Sequence, residues 1–137
     1  MALDFEVRFN GKSFQLNRSK FASKFVNFFV PIKAKQKSNY IDIKNTRLNK
    51  ALINVFENLK KYSLEDNESL ENIFENVNVY DLYLSVNWNR LNNPEILRFA
   101  IDTMKSNISK ANYDERLKFA QANNIQEVKN ACKQFIE

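Results

Sequence analysis

The chain opens with two short stretches in which apolar and polar residues alternate. Phe5-Glu6-Val7-Arg8-Phe9 is the first, Lys12-Ser13-Phe14-Gln15-Leu16 the second, and Asn10-Gly11 joins them. Alternation with period two marks a strand with one buried face. Asn-Gly is the preferred pair for a two-residue type I′ turn, because both central residues need positive φ. Such a loop fixes the register: Phe9 pairs with Lys12, Arg8 with Ser13, Val7 with Phe14, Glu6 with Gln15 and Phe5 with Leu16. One face of the hairpin is then apolar except at the turn, and the other is polar.

The period then changes. Phe21, Phe25 and Phe28 recur at i, i+4 and i+7 with basic residues opposite, which predicts a helix that Pro31 ends. Residues 33–39 read as a polar, basic connector, and Tyr40-Ile41-Asp42-Ile43 as a third strand. Leu48, Ala51, Leu52, Val55, Phe56 and Leu59 form an amphipathic stripe, followed by an acidic turn over residues 63–69. Short helices are expected near Leu70–Phe74 and Asn78–Trp88. Asn92-Asn93-Pro94-Glu95 supplies a cap, a proline for the first turn and a carboxylate for the positive helix end. The helix it opens carries Ile96, Leu97, Ala100, Ile101, Met104 and Ile108, and two more follow near Tyr113–Ala122 and Gln126–Ile136. The prediction is an α+β fold in which a small N-terminal sheet is covered by a mostly helical body.

Length and composition agree with that picture. A chain of 137 residues, 44% of them hydrophobic and 12 of them Phe, can bury a core without disulfides or metals. One glycine and two prolines leave little material for a many-turned β-sandwich. The one cysteine, Cys132, sits on a helical face with Val128, Phe135 and Ile136 and is expected to be a buried thiol.

Charge is unevenly spread. Residues 1–62 hold 13 Lys/Arg against 4 Asp/Glu, a balance of +9, and residues 63–137 hold 8 against 12, a balance of −4. Such asymmetry marks a partner surface, head-to-tail association, or solubility alone. Lys33, Lys35, Lys37, Lys44, Arg47 and Lys50 gather around the connector and the next helix start. They are read first as solvated lysines guarding an edge strand, and second as a phosphate-tracking patch. Glu65-Asp66-Asn67-Glu68 lacks the calcium-loop pattern and reads as a solvated turn.

Catalysis finds little support. The chain has no histidine for proton transfer near neutral pH, and one glycine cannot build a phosphate-cradling loop. No catalytic residue, cofactor or metal site is expected. The opening MALDFEVRF mixes acid with alternation where a signal peptide would be continuously apolar, and no apolar run is long enough to span a membrane. A cytoplasmic or nuclear location is therefore expected.

The order of elements, together with several local runs, resembles the BTB/POZ domain. Phe14-Gln15-Leu16-Asn17-Arg18-Ser19-Lys20-Phe21-Ala22-Ser23 is similar to the family's strand running into an "HR-x-x-LA" helix. Asn17 stands for its usual histidine, Phe21 for its leucine, and Phe25 for a later serine. Of the family's "Tyr-Thr-Gly" corner only Tyr62 survives, followed by Ser63 and Leu64. Asn78-Val79-x-x-Leu82-Tyr83-x-Ser85-Val86 is similar to its "NV-x-x-LL-x-AA" helix. Leu117-Lys118-Phe119-Ala120 and Glu127-Val128-x-x-Ala131-Cys132-x-x-Phe135-Ile136 look like the short helices that trail the domain. The resemblance implies a BTB/POZ-like domain over residues 1–108 and a trailing helical pair, 109–137, packed on it. It also implies work by surface: homodimerisation, or docking of a protein partner such as a cullin-type ubiquitin-ligase scaffold. Phe5, Phe21, Phe25, Phe28 and Phe29 are then expected to support self-association. Tyr83 and Trp88 are read as exposed aromatic anchors. Binding of nucleic acid through the basic half is the second reading.

Overall fold

The Asn10-Gly11 turn is closed as its residues require. In a computed structural model that describes residues 2–29, 39–44 and 47–137, Asn10 has φ +47° and Gly11 φ +87°. Strand β1 (Phe5–Phe9) pairs antiparallel with β2 (Lys12–Leu16) in the register read from the sequence, Phe5 opposite Leu16 and Phe9 opposite Lys12. A methyl group at Gly11 would meet no atom within 4 Å, so a side chain there costs backbone strain alone. Gly11→Ala is expected to lose about 1 kcal/mol, read as a fall in Tm of about 3–5 °C.

A seven-residue helix, α1 (Arg18–Lys24), separates the hairpin from strand β3 (Tyr40–Ile43). β3 lies parallel to β1 on the side away from β2, giving the order β2-β1-β3. Phe5, Val7, Phe9, Phe14, Leu16 and Ile43 all point to the covered face and are buried. Six further helices follow among the described residues: α2 (Asn49–Leu64), α3 (Leu70–Ile73), α4 (Val79–Val86), α5 (Pro94–Ser106), α6 (Tyr113–Ala122) and α7 (Gln126–Ile136). The architecture is α+β, a small mixed sheet under a helical body.

Four boundaries differ from expectation. The first helix stops at Lys24 and does not continue through Phe28, because Phe25 leaves helical geometry at φ −126°, ψ 75°. Tertiary donors replace the lost helical ones. Asn93 donates from Nδ2 to the Lys24 carbonyl (3.1 Å), and Arg90 donates from Nε and Nη2 to the Phe28 carbonyl (3.1 and 2.7 Å). Phe25, Phe28 and Phe29 all reach the core through this broken turn. Elsewhere, α2 keeps Ser63 and Leu64, which the sequence assigned to the acidic turn, α4 stops at Val86 short of Trp88, and α5 stops at Ser106 so that Ile108 lies beyond it. Val30, Pro31 and the connector residues Lys33, Lys35 and Lys37 lie outside the described residues.

The core is built of phenylalanine edges and faces. Phe56 on α2 meets Phe9, Phe14 and Phe21 at ring-centroid distances of 5.0, 4.9 and 5.6 Å. Phe21 in turn meets Phe25 at 4.6 Å and Phe28 at 5.0 Å. A separate layer of Ile96, Ala100 and Met104 on α5, Val128 and Cys132 on α7, and Ala120 on α6 is equally closed to water. The trailing pair α6–α7 is thus packed on the same body. Burial raises the Cys132 thiol above its ordinary value, as expected of a structural cysteine.

Candidate functional site

The side chains singled out from the sequence come together, but inward. Phe5, Phe21, Phe25 and Phe28 are at most 1% exposed and Phe29 is 9% exposed. Phe29, expected to support self-association, stands edge-on to Phe5 (5.0 Å, 85°) and Phe28 (5.0 Å, 87°) within the chain. Tyr83 is also buried, because Phe119 of α6 meets it edge-on at 5.7 Å, and loss of water raises its hydroxyl's pKa. Trp88 alone of the seven aromatic candidates is half-buried, its ring beside the Arg90 guanidinium (5.6 Å). Among the described basic candidates, Lys44, Arg47 and Lys50 are exposed at the N-terminal end of α2.

The surface that the sequence did not single out is a groove of about 630 Å³ between α3, the α3–α4 link, α4 and α5. Its floor is apolar: Phe74, Leu82 and Phe99, with Val77 and Val79 beside them, the two rings 6.0 Å apart. Glu71, Glu75 and Asp102 stand on its rim, and no lysine or arginine lines it.

Each wall is held by side chains whose placement follows from local sequence. Ser69 caps α3 by accepting from the Asn72 amide (3.2 Å), and Asn78 caps α4 by accepting from Tyr80 (2.9 Å) and Asp81 (3.2 Å). Asn58 on α2 donates to the Ile73 carbonyl (2.8 Å), and Asn54 to Asp81 Oδ2 (3.0 Å), tying α3 and α4 to the long helix. The Pro94 start of α5 is set by Asn93, whose Oδ1 accepts from the Ile96 amide (2.9 Å). Tyr62 donates to Glu95 (3.1 Å) beside it, and burial raises the Tyr62 hydroxyl's pKa.

The far end of α5 is held from α6. Arg116, 4% exposed, donates from Nη1 to the Met104 carbonyl and Asn107 Oδ1, both at 2.6 Å, and from Nε to the Tyr80 hydroxyl at 3.0 Å. No carboxylate accepts from this guanidinium among the described residues. Its charge is met instead by the helix's free C-terminal oxygens and the Tyr80 ring (5.4 Å).

On the outer side, Arg98 bridges Asp102 (2.8 Å) and Glu127 of α7 (2.7 Å), and Lys105 reaches the same carboxylate (3.2 Å). Hydrogen bonds from Arg98 and then Lys105 pull the Glu127 carboxyl down to about 2. A lowered folded pKa stabilises above the unfolded value and is lost as pH falls through the folded one. Glu127→Gln is therefore expected to lower the urea midpoint at neutral pH. The gap to the natural chain should close between about pH 4.5 and about pH 2.

No family model matches the chain, and no curated protein is significantly similar to it. The groove has to be read from its own chemistry. It offers an apolar trough, acidic margins and rigid helical walls. No group of three or more metal-ligating side chains occurs among the described residues. No described helix is long and apolar enough to cross a membrane. The groove was missed because Phe74 and Phe99 look like ordinary core positions. The legible signal was Phe99 with Thr103 and Ser106, a second stripe on α5 beside the buried Ile96, Ala100 and Met104.

Proposed function

We propose that the chain is a non-enzymatic protein-interaction module of BTB/POZ-like type, an adaptor that docks a protein partner in the α3–α4–α5 groove. The groove's apolar floor within an acidic rim is the observation that carries this reading. Interfaces of this kind gain affinity from buried aromatic positions and specificity from charged margins. A cullin-type scaffold is one partner consistent with the resemblance. The lack of histidine and the burial of the one thiol support a binding role over a catalytic one. Such a module would act in the cytoplasm or nucleus.

The burial of Phe5, Phe21, Phe25, Phe28 and Phe29 in one chain limits their part in association to supporting the surface from beneath. Nucleic-acid binding keeps one favourable observation, the exposed Lys44, Arg47 and Lys50 without carboxylate partners among the described residues.

Peptides selected from a displayed random library against the folded chain test the proposal. Amide shifts on binding should map to residues 74–79 and 99–107. Thr103→Arg, a half-buried wall residue made bulky and cationic, should weaken binding at least about tenfold, or about 1.4 kcal/mol. Binders that map elsewhere would overturn the reading. So would an oligonucleotide that binds more tightly and loses affinity steeply with the logarithm of salt.

A further inference from the structure

The charges at the N-terminal end of α2 run the wrong way for a helix that stands alone. Residues 43–56 contain Lys44, Arg47 and Lys50 and no acid, whereas residues 62–89 contain six acids and no base. No acid stands in the first turn of α2 and its N-cap Leu48 offers no side-chain acceptor, whereas at the C-terminus Lys61 in the last turn is followed by Glu65 and Asp66. Cations near the N-terminus add to the helix dipole and cost stability instead of relieving it. Sixteen residues at 1.5 Å each hold the two ends about 24 Å apart, too far to neutralise one another across a Debye length of about 10 Å.

Part of the acidic end is satisfied internally, since Lys24 meets Asp66 (3.8 Å) and Lys61 meets Glu68 (3.2 Å). Glu71 and Glu75 on the groove rim have no such partner among the described residues, and neither do Lys44, Arg47 and Lys50. The basic end also carries apolar surface, because Leu48 and Ile53 remain half-buried beside its lysines.

We infer that the groove between α3, α4 and α5 receives the basic N-terminal end of α2 from a second copy of this chain. The inference rests on reading the groove as a docking site. Leu48 and Ile53 of one copy meet the trough of the other, and Lys44, Arg47 and Lys50 meet Glu71 and Glu75. The contact joins unlike surfaces, so each copy keeps one free groove and one free helix end. Assembly then continues into a ring or an open chain instead of stopping at a symmetric pair.

Two doubly substituted chains test it, Glu71→Lys with Glu75→Lys, and Lys44→Glu with Lys50→Glu. All four positions are exposed, and far-UV circular dichroism checks that both chains fold. At about 0.1 mM protein and about 0.05 M salt, light scattering of the natural chain should rise above 16.2 kDa with concentration. It should return to the monomer mass near about 1 M salt, where the Debye length is about 3 Å. Each variant alone should remain monomeric, and an equimolar mixture should associate, because every groove then faces a helix end of opposite charge. A natural chain that stays at 16.2 kDa in low salt overturns the inference, as do variants that associate unmixed. If displayed peptides still bind the groove in that case, docking stands and only the identity of the occupant falls.

Discussion

Phe56→Ala should remove about 4 kcal/mol of stability, the largest loss expected from any single truncation in this chain. Phe56 is fully buried and is the ring on which the sheet and the first helix converge, through Phe9, Phe14 and Phe21. Its neighbours are held by different elements, so none can move into the space without giving up its own contacts. The loss therefore combines transfer of a large apolar group with a cavity that does not collapse. Against a total stability of about 5–15 kcal/mol, such a chain is near the limit of folding. Urea denaturation should show the midpoint falling with an unchanged slope. A loss below about 1.5 kcal/mol would mean that the aromatic cluster repacks freely.

The second large effect is expected at Arg116. Arg116→Met keeps much of the volume but strips hydrogen bonds from the Met104 carbonyl, Asn107 Oδ1 and the Tyr80 hydroxyl. Bonds from a charged donor are worth more than neutral ones, and buried oxygens left bare carry a desolvation penalty. Removing the buried cation recovers some solvation cost, which leaves a net loss of about 2–3 kcal/mol. Arg116→Lys should rescue little, because a single ammonium cannot span the geometry that a planar fork meets. Hydrogen exchange should show lost protection in α6 and at the end of α5, with α2 little changed. If protection falls evenly over the whole chain, Arg116 supports the global fold and not this junction.

Much of the scaffold was legible because it rests on local rules. Asn10-Gly11 dictated the hairpin and its register, Asn92-Asn93-Pro94-Glu95 announced α5, and the α2 stripe matched its buried face. What stayed hidden depended on partners distant in sequence. The turn at Phe25 exists because Asn93 and Arg90 supply donors about sixty to seventy residues away, and no local pattern encodes that. Tyr83 read as exposed because the helix that covers it, with Phe119, comes 36 residues later. The groove was invisible for a related reason. Phe74 and Leu82 in its floor have the types and spacing of core residues and are buried like them, so only half-buried Phe99, Val77 and Val79 mark the groove.

The junction at Phe28 also gives the molecule a built-in optical reporter. The chain has one tryptophan, Trp88, and it lies in the α4–α5 link, beside the arginine that grips the Phe28 carbonyl. The phenylalanines that fill much of the interior are nearly silent in emission, so indole fluorescence would follow this one seam. If its transition coincides with loss of helical ellipticity, the seam and the core melt as one unit. If emission changes first, the link releases the aromatic turn before the helices come apart, and the light has recorded the first breach in the fold.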